Sequence, residues 1–135
     1  MTAAQQTAIR VYFEDTDFSG HVYHGAYVRF LERGRTEFLR DLGIHHSELI
    51  RDGIAFAVRA MHIDFAAAAR IDDLLTVVTE VGAFTGARLT LKQTILRDAK
   101  VLTSAEVIVA AIKIGGGAAR MPPDLRARLS TDTQD

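Results

Sequence analysis

The feature that most constrains the fold of this chain is one long helical pattern, followed by consecutive strand patterns. Apolar residues recur every three or four positions from Gly25, which predicts an amphipathic helix that ends near Leu42, before Gly43. Its apolar face consists of Tyr27, Phe30, Leu31, Gly34, Phe38 and Leu42. Gly34 lies on this face, where a side chain is unwelcome if a sheet or a ligand approaches closely.

Five segments have the apolar or alternating pattern of β-strands. The first, residues 8–14, precedes the helix, and the others follow it at 54–65, 74–84, 89–97 and 101–114. Tight connections, such as the turn predicted at Thr85-Gly86, make consecutive strands antiparallel. With a short helix or turn at 46–52 and a terminal helix at 124–129, the sequence predicts an α+β fold in which one helix packs on an antiparallel sheet.

Length and composition agree with a single domain over residues 1–135. Hydrophobic residues make up 48 % of the chain, which argues against disorder, and a net charge of −1 argues against a nucleic-acid binder. The absence of cysteine excludes a disulfide framework, a thiolate zinc site and a cysteine nucleophile. Neither a signal region nor a stretch of ~20 apolar residues is present, so we expect a cytoplasmic protein.

The predicted helix carries a cluster of charged side chains between residues 29 and 41. Its members are Arg29, Arg33, Arg35 and Arg40, interleaved with Glu32, Glu37 and Asp41. We interpret this cluster as a solvated helix face rather than a phosphate-binding patch, with Arg33 and Glu37 spaced for an i,i+4 ion pair.

Asp17 lies in a polar turn directly before the helix, where a carboxylate has two interpretations. It either stabilises the turn and the helix start, or it acts as a nucleophile or general base, ionised at pH 7 because a free Asp has a pKa of about 3.9. Asp15 is the competing acid, and we expect one of the two to be structural. The helix start near His24 offers N–H groups without intrahelical partners, which form a natural site for an oxyanion.

Five histidines raise the question of a metal site: His21, His24, His45, His46 and His62. No HExxH motif and no third ligand at metal spacing accompanies them, so we predict no metal and assign them polar contacts. The chain also lacks G-x-S-x-G, G-x-G-x-x-G and a Lys-Ser/Thr pair after the three glycines at 115–117. We therefore predict an absence of nucleotide-type cofactors.

The segment Val11–Arg33, with the core Thr16-Asp17-x-x-Gly20-x-Val22-Tyr23-His24, resembles the signature of hotdog-fold thioesterases of the 4-hydroxybenzoyl-CoA type. It is particularly similar to the branch associated with the Tol-Pal system, as are Phe56–Arg59, Ile63–Phe65 and Ala69–Leu74. The resemblance spans residues 8–115. It implies a five-stranded antiparallel sheet wrapped around the helix, cofactor-free hydrolysis of acyl-CoA thioesters, and a homodimer or homotetramer.

The resemblance also implies roles for individual residues. Asp17 matches the catalytic acid of the family, and His24 matches the position whose backbone N–H polarises the thioester carbonyl. The implied substrate-facing residues are Tyr23, Gly25, Tyr27 and Glu32. The CoA phosphates need a basic surface, for which the candidates are Arg59, Arg70, Arg88 and Lys92. Acyl-CoA is the implied substrate, and acyl carrier protein is a further candidate partner.

The sequence departs from the family pattern at two places. Before Ala69-Arg70, where relatives usually carry a basic residue and a proline, this chain has only alanines, and Gly25 stands where relatives often carry alanine. Two other functions stay open. One is a hydratase or dehydratase that pairs His24 or His21 with Asp17 or Glu32, and the other is a non-catalytic binding module. The acyl group, and the choice between nucleophilic and general-base attack, also stay open.

Overall fold

A five-stranded antiparallel sheet and one long helix make up most of the chain, which confirms the predicted fold class. The computed structural model describes residues 4–132, so residues 1–3 and 133–135 of the predicted domain lie outside the described part. The strands are β1 (Gln5–Arg10), β2 (Ile54–Phe65), β3 (Leu74–Phe84), β4 (Arg88–Arg97) and β5 (Lys100–Lys113), in the spatial order β1-β3-β4-β5-β2. The helices are α1 (His24–Asp41), α2 (His46–Arg51) and α3 (Pro123–Asp132).

Helix α1 packs its apolar stripe against β1, β3 and β4. Phe30 and Leu31 are fully buried against Leu75 and Val77 of β3. A Cβ atom on Gly34 would lie 2.6 Å from Cγ1 of Val77, so the glycine allows the helix backbone to approach the sheet. The close approach anticipated at this glycine is confirmed, and the neighbouring element is the sheet.

The first strand begins and ends earlier than predicted. The expected range 8–14 is wrong, because β1 spans Gln5–Arg10 and residues Phe13–Asp15 form a 3-10 turn. A carboxylate causes this change of direction: Oδ2 of Asp15 accepts the Tyr12 N–H at 2.8 Å, which closes the turn. The four later strands agree with their predicted ranges to within one residue at each end.

The charged face of α1 is only partly solvated, which corrects the interpretation of its arginines. Arg35 is buried, and Glu37 pairs with Arg40 at 3.3 Å. No ion pair between Arg33 and Glu37 forms within residues 4–132, so that prediction is wrong. Arg29 extends instead to Asp15, where its guanidinium lies 2.8 Å from Oδ1.

Strands β1 and β2 are the two edges of the sheet. Over the described range, β2 pairs only with β5, so one side of this 12-residue strand has no strand partner. In residues 4–132, no helix has the length and apolar character that crossing a membrane requires.

Candidate active site

Asp17 lies in a tight loop between the 3-10 turn and α1. Its backbone N–H donates to the carbonyl of His21 at 2.9 Å, and its own carbonyl accepts the Gly20 N–H at 3.1 Å. Gly20 has φ +82°, a conformation that strongly favours glycine. The loop is thus fixed by its own backbone, and it leaves the Asp17 side chain exposed.

The Asp17 carboxylate is held as an anion by one residue. Its Oδ1 accepts the Ser19 hydroxyl at 2.5 Å and the Ser19 backbone N–H at 2.8 Å. These bonds lower the pKa of Asp17 below its ordinary value, the hydroxyl bond first, because they favour the charged form. The carboxylate is therefore ionised, accessible and oriented near neutral pH.

Ser19 also connects Asp17 to His21, one of the histidines for which the sequence predicted polar contacts. The hydroxyl oxygen of Ser19 lies 3.0 Å from Nδ1 of His21. Since the one hydroxyl proton of Ser19 is donated to Asp17, the Ser19–His21 hydrogen bond requires His21 to donate its Nδ1–H to the serine oxygen. The sequence signal for this chain of hydrogen bonds was the alternation of polar residues at 17, 19 and 21.

We expect Ser19→Ala to raise the pKa of Asp17. The substitution removes the hydroxyl bond that stabilises the anion, while the backbone N–H of residue 19 stays available. The measurement is an NMR titration of the Asp17 carboxyl carbon, with Ser47→Ala, an exposed serine on α2, as the matched control. An Asp17 pKa that is equal in Ser19→Ala and in the parent would contradict this assignment of cause.

Asp15, the second acid of the segment, has a structural role, as expected for one of the two. Its side chain is buried, with the Tyr12 N–H on one oxygen and the Arg29 guanidinium on the other. Its backbone carbonyl accepts the Tyr23 N–H at 2.9 Å. Asp15 therefore ties the Asp17 loop to the start of α1.

Helix α1 begins at His24 with free backbone donors. Ala26 donates to the Tyr23 carbonyl at 2.8 Å, but within residues 4–132 no acceptor receives the N–H of His24 or of Gly25. The positive end of the helix dipole lies at the same point. Two unpartnered N–H groups therefore stand at the end of the loop that carries Asp17, where they can stabilise an oxyanion.

Tyr23 and Gly25 form the immediate surroundings of these donors. The Tyr23 ring is half-exposed and contacts the His24 ring, with centroids 4.5 Å apart. A Cβ atom on residue 25 would lie 2.5 Å from Cε2 of Tyr23. The glycine at position 25, where relatives often carry alanine, thus gives the Tyr23 ring its present place beside the helix start.

Tyr27 and Glu32 do not lie beside the free N–H groups at the start of α1. Tyr27 is 4 % exposed, its hydroxyl accepts the Ala69 N–H at 3.0 Å, and burial raises its pKa. It packs in the core rather than on an accessible surface. Glu32 is exposed about 12 Å further along the helix axis, eight residues after His24.

The four basic candidates lie at three different places. Arg70 forms an isolated antiparallel β-bridge with His21, next to the Asp17 loop. Arg59 and Arg88 line a different cleft of about 550 Å³, together with Lys113. Lys92 is exposed on β4 and packs over Gly82. Arg70 is therefore the basic residue of this set that stands beside the loop.

Of the remaining histidines, His62 makes a polar contact and His46 an aromatic one. His62 and Asp64 lie on β2 with 3.4 Å between Nε2 and Oδ2, and His46 makes an edge contact with the Phe56 ring. Three or more metal-ligating side chains do not converge anywhere in the described part of the chain. The predicted absence of a metal stays a prediction.

Comparison with known proteins identifies relatives over most of the chain. The family described as the thioesterase-like superfamily matches residues 11–129. The acyl-CoA thioesterase YbgC of Haemophilus influenzae is 44 % identical over 108 residues, which cover 79 % of each chain. The acyl-CoA thioester hydrolase YbgC of Escherichia coli is 42 % identical over 105 residues, 77 % of this chain and 78 % of that protein.

Solved structures agree with this relationship. A probable thioesterase from Bartonella henselae superposes with a TM-score of 0.82 at 43 % identity, over 90 % of this chain and 100 % of the other. The DHNA-CoA thioesterase of Staphylococcus aureus reaches a TM-score of 0.91 at 21 % identity, over 96 % of this chain and 91 % of the other, and shares the fold.

Proposed function

The chain belongs to the thioesterase-like superfamily, and on this basis we propose that it hydrolyses acyl-CoA thioesters at the site formed by Asp17 and His24. One observation carries the assignment of the site. The loop that exposes the ionised Asp17 carboxylate leads directly into a helix whose first N–H groups have no acceptor within residues 4–132. Acyl transfer needs this combination of a nucleophile or base and an oxyanion site.

In the proposed reaction, the thioester carbonyl oxygen binds the backbone N–H of His24. Attack at the carbonyl carbon moves negative charge onto that oxygen, where the helix start stabilises it. In one route the Asp17 carboxylate forms the new C–O bond, the C–S bond breaks, and CoA leaves as a thiolate. Water then hydrolyses the mixed anhydride to the free acid and regenerates Asp17. In the second route Asp17 takes a proton from a water molecule whose oxygen attacks the carbonyl carbon; the C–S bond then breaks and CoA leaves as a thiolate.

Thiol release from a panel of short-chain, long-chain and aromatic acyl-CoAs tests the proposal. We expect release from at least one class, unchanged by a chelator because the proposed steps use no metal. Crotonyl-CoA serves as a matched probe: hydration of its double bond without thiol release would favour a hydratase. Failure to release thiol from any member of the panel would contradict the proposal.

We also propose that the chain assembles as a homodimer through the free edge of β2, and that dimers can pair into tetramers. A strand with an open edge attracts another strand, and the exposed Val58 and Phe65 of β2 add apolar surface. We expect a mass of two or four chains by sedimentation at micromolar concentration. A monomer that hydrolyses acyl-CoA under the same conditions would contradict this proposal.

Three further assignments belong to the same proposal. Acyl-CoA is the substrate, and acyl carrier protein is a candidate alternative carrier of the acyl group. Residues 1–135 act as one domain. The location is cytoplasmic, because CoA thioesters are made and used inside the cell.

A further inference from the structure

A buried cation lies in the middle of α1, away from the Asp17 loop. Arg35 is 8 % exposed, and its guanidinium donates to Oε1 of Gln93 on β4 at 3.1 Å. The Gln93 amide nitrogen donates to the Leu31 carbonyl at 2.9 Å and contacts the Thr79 hydroxyl at 3.0 Å. Because a backbone carbonyl can only accept, the amide orientation is fixed and its oxygen must face Arg35.

This arrangement leaves the charge of Arg35 largely uncompensated. Among the side chains that the structure describes, no carboxylate oxygen lies within 4 Å of its guanidinium. Glu32, one turn earlier, is the acid that acts on it electrostatically, and that side chain is exposed. Burial lowers the pKa of the Arg35 guanidinium, which nevertheless stays protonated. A buried charge is costly unless a counter-charge meets it.

Arg35 is one of the residues that line a small cavity with largely apolar walls. The cavity has a volume of about 210 Å³ and lies between α1 and the sheet. Its walls include Leu39, Phe56, Leu89 and Leu91, and its other polar lining comes from Glu32, Thr36 and His46. A space of this size is smaller than a typical pocket for a drug-sized ligand, and it suits a short apolar chain.

We propose that this cavity binds a carboxylate carried on a short apolar chain, with the carboxylate on Arg35 and the chain between the apolar walls. A guanidinium presents its N–H groups as a planar fork that matches a carboxylate in two parallel hydrogen bonds. Gln93 holds the fork in place, so little further ordering is needed on binding. Glu32 opposes an incoming anion, but its exposure to water weakens that repulsion relative to the buried contact.

Two sources can supply such a ligand. One is a free fatty acid, the product class of the proposed reaction. The other is an acyl group of an acyl-CoA substrate that bears a carboxylate at its far end. This second source rests on the proposed function. In both cases a carboxylate contacts the Arg35 guanidinium. The two sources differ in whether the ligand is attached to CoA.

Calorimetric titration with octanoate, with 1-octanol as the uncharged control, tests the site itself. We expect one octanoate per chain, bound about tenfold or more tighter than octanol, because only the acid carries a charge. Arg35→Met should abolish the preference for the acid. Thr36→Phe, which narrows the cavity without removing the guanidinium, should weaken octanoate binding and serves as a second test if Arg35→Met does not fold. Equal binding of octanoate and octanol, or octanoate binding unchanged by both substitutions, would overturn the proposal.

A comparison of octanoyl-CoA with suberoyl-CoA, which has the same chain length and a terminal carboxylate, separates the two sources. A higher kcat/KM for suberoyl-CoA that disappears in Arg35→Met identifies the far end of the acyl group as the ligand. Equal turnover of the two, with octanoate still bound, identifies the free acid. If neither of these thioesters nor any member of the acyl-CoA panel is hydrolysed, the proposed function fails, while the octanoate titration still decides the site.

Discussion

Asp17→Asn is expected to lower the rate of acyl-CoA hydrolysis by about 10²- to 10⁴-fold, the usual range for loss of a positioned acid or base. Asparagine has the same shape, and its carbonyl oxygen can still accept both bonds from Ser19. It has no negative charge, so it can neither attack a carbonyl carbon nor take a proton from water. The substitution therefore removes the group that attacks or takes a proton, and it keeps the conformation of the loop. The measurement is thiol release at saturating acyl-CoA.

Two comparisons separate loss of chemistry from loss of structure. Asp52→Asn, at an exposed position after α2, should keep the parent rate, and Asp17→Asn should keep the parent melting temperature and mass. Asp15→Asn should instead lower the melting temperature, because Asp15 is buried against Arg29. Turnover by Asp17→Asn close to the parent rate would remove Asp17 from the mechanism.

The long elements were predictable because each has one dominant period. Helix α1 and strands β3, β4 and β5 each bury one face, so the spacing of their apolar residues indicates where they lie in the sequence. The end of β1 was not predictable from the same signal. Tyr12 and Phe13 continue an alternating pattern, but the backbone bond to the Asp15 carboxylate turns the chain there.

Arg35 shows a second limit of the sequence pattern. An arginine beside a charged helix face is normally solvated, and the pattern contains no sign of its acceptor, Gln93, which lies 58 residues away. Gly34 was the available hint, since a residue next to a tight helix–sheet contact is drawn towards the sheet. Whether such an arginine is buried depends on contacts between elements that are distant in sequence. The periodicity within one element does not show these contacts.

Some features of the candidate site could be predicted from the sequence, and others could not. Asp17 and the start of α1 are consecutive in sequence, so their proximity could be predicted from the turn and the helix signals alone. The position of Tyr27 was also open to prediction, because Tyr27 belongs to the apolar stripe with Phe30 and Leu31 and is buried with them. The link from Asp17 through Ser19 to His21 depends on the loop conformation, which the sequence pattern does not specify.

Gln93→Leu is expected to lower the free energy of unfolding by about 3 kcal/mol. Leucine is close in size, so the packing of β4 against α1 is largely kept. The substitution removes the oxygen that accepts from Arg35 and the amide group that bonds the Leu31 carbonyl and the Thr79 hydroxyl. A buried guanidinium and two buried oxygens then lose a partner at once. The measurement is unfolding in denaturant at one fixed protein concentration, because subunit association also affects stability.

The double variant Arg35→Met/Gln93→Leu shows whether the charge causes this loss. Replacing a buried charge and its partner together by apolar side chains of similar size is often neutral or stabilising. We therefore expect the double variant to be more stable than Gln93→Leu alone, a non-additivity that indicates direct coupling. Gln6→Leu, at an exposed position of β1, should change stability little and controls for the side chain itself. If the second substitution simply adds to the first, the loss comes from packing, and Arg35 does not depend on Gln93 as a partner.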